Sequence, residues 1–84
     1  MKAHQRKNPA RSLRRLHKRI ENCNDAIRTA ESDAKVYEIH SRDQAREESD
    51  RNRLRNLAAN RRQLVNLKHI QLEALTKSLD ARLA

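Results

Sequence analysis

Apolar residues recur along the first half of the chain at alternating intervals of three and four. Leu13, Leu16, Ile20, Cys23, Ile27, Ala30, Ala34 and Tyr37 keep that spacing without a miss. This is the seam of a helix that packs lengthwise against another helix. Asn8 followed by Pro9 marks its start, an N-cap residue before proline at the first helical position. The pattern predicts a helix over about 9–40. Its seam residues shrink towards Ala30 and Ala34, which lets an opposing backbone come close there.

Beyond Ile39 the pattern lapses. The stretch HSRDQAREESDRNR, residues 40–53, holds one apolar residue, Ala45. Ser41 with Gln44 three residues later matches a capping box, which sets the break near Ser41 and a second helix over about 42–83. Asp43 with Arg46, Glu47 with Arg51 and Asp50 with Arg53 have spacings that support an exposed helix. One uninterrupted helix of about 75 residues is the rival arrangement.

A second stripe then runs through Leu54, Leu57, Ala58, Leu64, Val65, Leu72, Leu75, Leu79 and Leu83, within about 120° of arc at 100° per residue. Arg61 and Lys68 fall inside the same arc. They can snorkel at the seam edge or pair with Glu21, Asp25 or Glu31 across a hairpin and fix its register. Leu67, Ile70, Ala74 and Ala81 lie on the opposite side. Two apolar faces on one helix imply two helix neighbours, one within the chain and one from another copy. The expected architecture is therefore all-α: an antiparallel helical hairpin with coiled-coil-like packing, dimerising into a helical bundle. Leu64, Leu67, Ile70, Leu72, Leu75, Leu79 and Leu83 are the expected oligomer interface.

Composition strengthens that picture. The 84 residues contain no Gly and one Pro, so the loops that cradle phosphates through glycine are excluded, and nothing after residue 9 forces a helix to break. Eleven of the apolar residues are Ala, sixteen are Leu, Ile or Val, and Tyr37 is the sole aromatic. A core built from these is thin, and small chains of this kind usually rely on staples or partners. With one cysteine no internal disulfide can form, which leaves self-association. The basic N-terminus is not followed by the apolar run of a signal peptide, and no apolar run reaches the roughly 20 residues that span a bilayer. These features point to a cytoplasmic protein that does not enter a membrane.

Charge raises the functional question. Residues 1–20 carry eight cations, Lys2, Arg6, Lys7, Arg11, Arg14, Arg15, Lys18 and Arg19, and no acid. Residues 21–50 carry four basic and nine acidic residues, and residues 51–84 eight basic and two acidic. A hairpin joins both basic ends and places the acidic stretch at the tip. Arg11, Arg14, Arg15, Lys18 and Arg19 project roughly opposite the seam, so the leucines can be core while the cations remain outside. Residues 1–8 read as a basic arm, flexible without a ligand.

Such a block neutralises phosphates and releases counterions, and arginine can also reach base edges. Nucleic acid, as duplex DNA or structured RNA, is the expected partner. The order of basic block then heptads resembles the layout of basic-zipper proteins, although Leu13 and Leu16 place seam residues inside the block. The near-absence of aromatics argues against single-strand binding by stacking. The alternative is docking on an acidic protein surface, as an inhibitor or adaptor of a protein that could itself process nucleic acid. A solvated face with no specific partner is the bland reading of the same charges.

Candidate chemistry is sparse. His17 with Glu21 and His69 with Glu73 are each four apart, but two ligands do not make a site, so no metal and no cofactor is expected. Cys23 lies on the seam, where small-hydrophobe packing is the simpler role. No nucleophile-and-base constellation appears, and thin helices offer little concave surface. The sequence reads as a non-enzyme.

Overall fold

The computed structural model describes residues 9–83, and over that span the chain forms two packed helices. Helix α1 covers Pro9–Ser41 and helix α2 covers Glu48–Leu83. At 1.5 Å rise per residue they are roughly 50 and 54 Å long. They run antiparallel as a rod with extents of 67 × 23 × 13 Å. No strand occurs among the described residues. The expected all-helical hairpin is what forms; the arm expected over residues 1–8, with Lys2, Arg6, Lys7 and Asn8, lies outside the described residues.

The α1 seam faces α2 as its spacing requires. Leu16, Cys23, Ile27, Ala30 and Ala34 are buried, and Leu13, Ile20 and Tyr37 are half-buried. From α2, Ala58, Val65 and Leu75 are buried, while Leu54, Leu57, Leu64, Leu72 and Leu79 are half-buried. Leu16, Cys23, Ile27, Ala30, Val65 and Leu75 form one cluster, with Ile20, Leu64, Leu72 and Leu79 packed against it. The aliphatic bulk therefore sits towards the open end. Towards the tip the interface is lined by alanine: Ala34 is completely buried at 0% exposure and Ala58 nearly so.

The turn departs from the expected one. Ser41 closes α1 rather than opening α2: its buried hydroxyl donates to the Glu38 carbonyl at 2.7 Å. Arg42 N–H and Asp43 N–H then bond back to the Ile39 and His40 carbonyls at 3.1 and 3.2 Å. The reversal itself uses Asp43, whose Oδ1 accepts the Ala45 N–H at 3.0 Å, and whose carbonyl accepts the Arg46 N–H at 3.1 Å. This aspartate turn mimics a backbone turn, so the reversal is made without glycine or any residue at positive φ. The first α2 bond runs from Arg51 N–H to the Glu47 carbonyl at 3.0 Å. Glu48 and Asp50 place carboxylates in that first turn, where the helix dipole favours them. Gln44, expected as the capping partner, instead accepts from Arg51 Nη1 at 3.3 Å.

Candidate functional site

The five described cations of the N-terminal block, Arg11, Arg14, Arg15, Lys18 and Arg19, are all exposed on α1. They occupy about 12 Å of helix. Leu16 and Ile20 pack into the core shared with α2 and Leu13 is half-buried, so packing and most of the charge are segregated on one helix. Arg19, expected opposite the seam, instead also lines the groove between the helices. Lys18 Nζ lies 3.9 Å from the Glu21 carboxylate, with both groups well exposed, a contact of little energetic weight. Among the described residues, no carboxylate lies within ion-pair distance of Arg14, Arg15 or Arg19. From α2, the Arg82 guanidinium hydrogen-bonds Ser12 Oγ, which adds one more cation to this end of the rod.

The opposite end is electrically different from the expected acidic tip. Antiparallel packing brings the arginine-rich start of α2 against the acidic end of α1. Arg62 donates to Glu38 through Nη2–Oε1 at 2.7 Å and Nε–Oε2 at 3.2 Å, and Arg61 Nε lies 3.6 Å from Asp33. Residues 31–62 hold eight basic and seven acidic residues, whereas residues 9–30 and 63–83 together hold nine basic and four acidic. The tip half is thus nearly neutral, and the positive charge concentrates at the open half. The hydrogen bonds from Arg62 hold the Glu38 carboxyl below its ordinary value, against the opposing effect of burial, with further Coulombic help from Arg62, Arg42 and Lys35. The Arg62 guanidinium is raised by the same contact.

These cross-helix partners differ from Glu21, Asp25 and Glu31, which sequence spacing suggested. Arg61 takes Asp33, and Lys68 takes no carboxylate among the described residues; its Nζ donates to Gln71 Oε1 at 3.2 Å. The Arg62–Glu38 pair had no sequence signal, because Arg62 is off the apolar arc and its reach depends on the turn.

The residues expected to join copies of the chain divide into two groups. Leu75 is buried in the hairpin's own core, and Leu64, Leu72 and Leu79 pack against that core; their apolar surface is largely spent within the chain. Leu67, Ile70 and Leu83 remain exposed, at 58%, 65% and 64%. Val36 and Ile39 are exposed on α1. Among the described residues, no three His, Cys, Asp or Glu side chains converge as a metal cage, and no helix is long and apolar enough to cross a membrane.

A shallow groove of about 230 Å³ opens between the helices, lined by Arg19, Asn22, Cys23, Lys68 and Gln71. Cys23 is a free, buried thiol whose Sγ–H donates to the Lys68 carbonyl at 3.2 Å. Comparison with known proteins adds no relative from which a role could be carried over: no family model, curated protein or solved structure matches this chain.

Proposed function

We propose that this chain is a non-enzymatic, cytoplasmic nucleic-acid-binding protein that works as a dimer of helical hairpins. The observation that carries the reading is the segregation on α1. Arg14, Arg15 and Arg19 are exposed and without a carboxylate partner among the described residues, on the half of the rod that holds the excess positive charge. Such a surface attracts a polyanion through phosphate neutralisation. Tyr37 is half-buried on the seam, so stacking on bases contributes little and duplex DNA or structured RNA is the favoured class.

Dimerisation is part of the proposal because Leu67 and Ile70 stand exposed on the outside of α2. Pairing two hairpins there gives a coiled-coil-like four-helix bundle and doubles the cationic ends. The same exposed residues favour a second reading, in which the rod is an inhibitor or adaptor that docks its lateral face, or its basic end, on an acidic protein.

Titration of the full chain against duplex DNA and structured RNA at several salt concentrations distinguishes them. With about six to ten phosphate contacts, affinity falls by roughly a thousandfold or more between about 50 and 200 mM salt. Weak binding that stays flat over that range would overturn the nucleic-acid reading and favour a protein partner.

A further inference from the structure

Two cations stand one heptad apart on the inner arc of α2, and the fold treats them differently. Arg61 is matched by the Asp33 carboxylate across the hairpin. Lys68, equally half-buried, has no carboxylate in reach among the described residues and is held only by the neutral amide oxygen of Gln71. Its backbone carbonyl accepts from the Cys23 thiol of α1 at 3.2 Å, which sets the stem beside α1, and the residue lines the groove between the helices. The groove's other cation, Arg19, arrives from α1 and also has no carboxylate partner among the described residues. Asn22 and Gln71 complete the polar lining with side-chain amides. Because Gln71 spends its oxygen on Lys68, its amide –NH₂ is left as a donor.

We infer that this groove is a phosphate-binding cradle, in which Lys68 and Arg19 supply charge from the two helices and Asn22 and Gln71 supply neutral N–H donors. A half-buried cation costs desolvation unless it is paired, and a tetrahedral oxyanion supplies here what Asp33 supplies to Arg61. None of the lining residues is acidic, so the groove offers donors to an anion and no carboxylate to repel it. A volume of about 230 Å³ accepts a phosphate group with part of its ester. The cradle requires only that group, free or within a nucleic-acid backbone, and does not depend on the exposed ridge of Arg14 and Arg15.

The test is an amide chemical-shift titration of the isotope-labelled full chain. Inorganic phosphate and a short DNA duplex are added separately, at neutral pH and with ionic strength fixed by chloride. Lys68→Met keeps the apolar stem on the seam and removes the charge. Asn22→Ala with Gln71→Ala alters two exposed side chains, and serves if Lys68→Met disturbs the fold. Saturable shifts centred on residues 19–23 and 68–71 are expected, weakened about tenfold by Lys68→Met, in keeping with loss of a charge-assisted contact. In the inorganic phosphate titration they are also weakened by the double amide variant and retained when Arg14 and Arg15 become Gln. Saturation by phosphate with no response of these amides to duplex identifies a small phosphate ester as the occupant. A response to duplex identifies the polymer backbone. Shifts that rise without saturating, that centre on residues 11–18, or that persist unchanged in both cradle variants would overturn the cradle. Salt-dependent duplex binding surviving such a result would leave the broader nucleic-acid reading standing.

Discussion

Arg62 of α2 grips Glu38 of α1 with two parallel hydrogen bonds, at 2.7 and 3.2 Å, across 24 residues of sequence. The fork geometry is directional where the surrounding core is not. Near the tip the interface is alanine, with Ala34 and Ala58 buried, and small apolar side chains define register weakly. Arg61 with Asp33 adds a second marker beside the first. A slip of one heptad would set Ala26 or His40 where Asp33 stands, so the ion pairs select one alignment among several that the apolar stripes allow. This assigns the tip-side charges a role in specificity, and leaves those of the open end for another use.

The pair makes stability depend on pH in a defined direction. Arg62 holds the Glu38 carboxyl below its ordinary value in the folded state. The contribution is therefore complete above the unfolded pKa of about 4.3, and is lost as pH falls through the depressed folded value. Urea midpoints of the wild type are expected to drop between about pH 5 and 3. Glu38→Gln should flatten that slope. Equal slopes for the wild type and Glu38→Gln would show that the contact does not persist in solution.

Burial separates leucines that look alike in the sequence. Leu75 is 5% exposed within the core cluster, whereas Leu67, eight residues earlier, is 58% exposed. Leu75→Ala is expected to destabilise by about 2–3 kcal/mol, the low end for a buried leucine because a two-helix core can partly collapse around the gap. Ala34→Leu, at a fully buried position, should cost about 1–3 kcal/mol by overpacking. Leu67→Ala should change the stability of the separated hairpin by no more than about 0.5 kcal/mol, measured at concentrations below those at which copies associate. Denaturant unfolding with a constant slope m checks all three.

Much of this was legible in the residues. The 3-4 spacing from Leu13 to Tyr37 found the α1 contact face in full, since burial along a helix is set by periodicity. The spacing finds the α2 stripe equally well except at Leu83, which is exposed. Spacing locates the turn but not the bonds that make it. Ser41 and Gln44 fit a capping box by spacing alone, yet Ser41 Oγ–H finds the Glu38 carbonyl behind it, and Asp43 makes the reversal. Side-chain-to-backbone bonds of this kind compete at every polar residue of a turn, and spacing does not decide among them. Cross-helix pairing was legible only as a tendency. Which carboxylate meets Arg61 depends on the register, and the register depends on that turn. For the same reason sequence alone predicts an acidic tip, whereas α2 brings Arg61 and Arg62 to it. The leucines expected between copies were divided by burial, which periodicity alone does not rank on a helix with two apolar faces.

Self-association should depend on the outer face of α2 and not on its inner one. Leu67 and Ile70 are exposed and three residues apart, so both lie on one side of the helix. Replacing both by Glu leaves the hairpin core untouched, and circular dichroism should be unchanged. Sedimentation at micromolar concentration should give a dimer for the wild type and a monomer for the double variant. A wild-type monomer, or a dimer indifferent to these substitutions, would remove the bundle from the proposal.

The distribution of charge along the rod makes the last prediction quantitative. If Arg14, Arg15, Lys18 and Arg19 each neutralise a phosphate, changing all four to Gln should reduce the slope of log K against log salt by about 3–4, because each contact contributes about 0.9. Arg53 and Arg55 are equally exposed arginines, but they sit in the nearly neutral tip half. Changing these two to Gln should alter the slope by less than about one contact's share. Net charge alone predicts a different result, with loss in proportion to the number of arginines removed wherever they lie. Salt-dependent titrations of the two variants against one duplex therefore distinguish a localised interface from diffuse attraction. Equal loss per arginine at the two ends would place the binding in the overall charge of the rod rather than in α1.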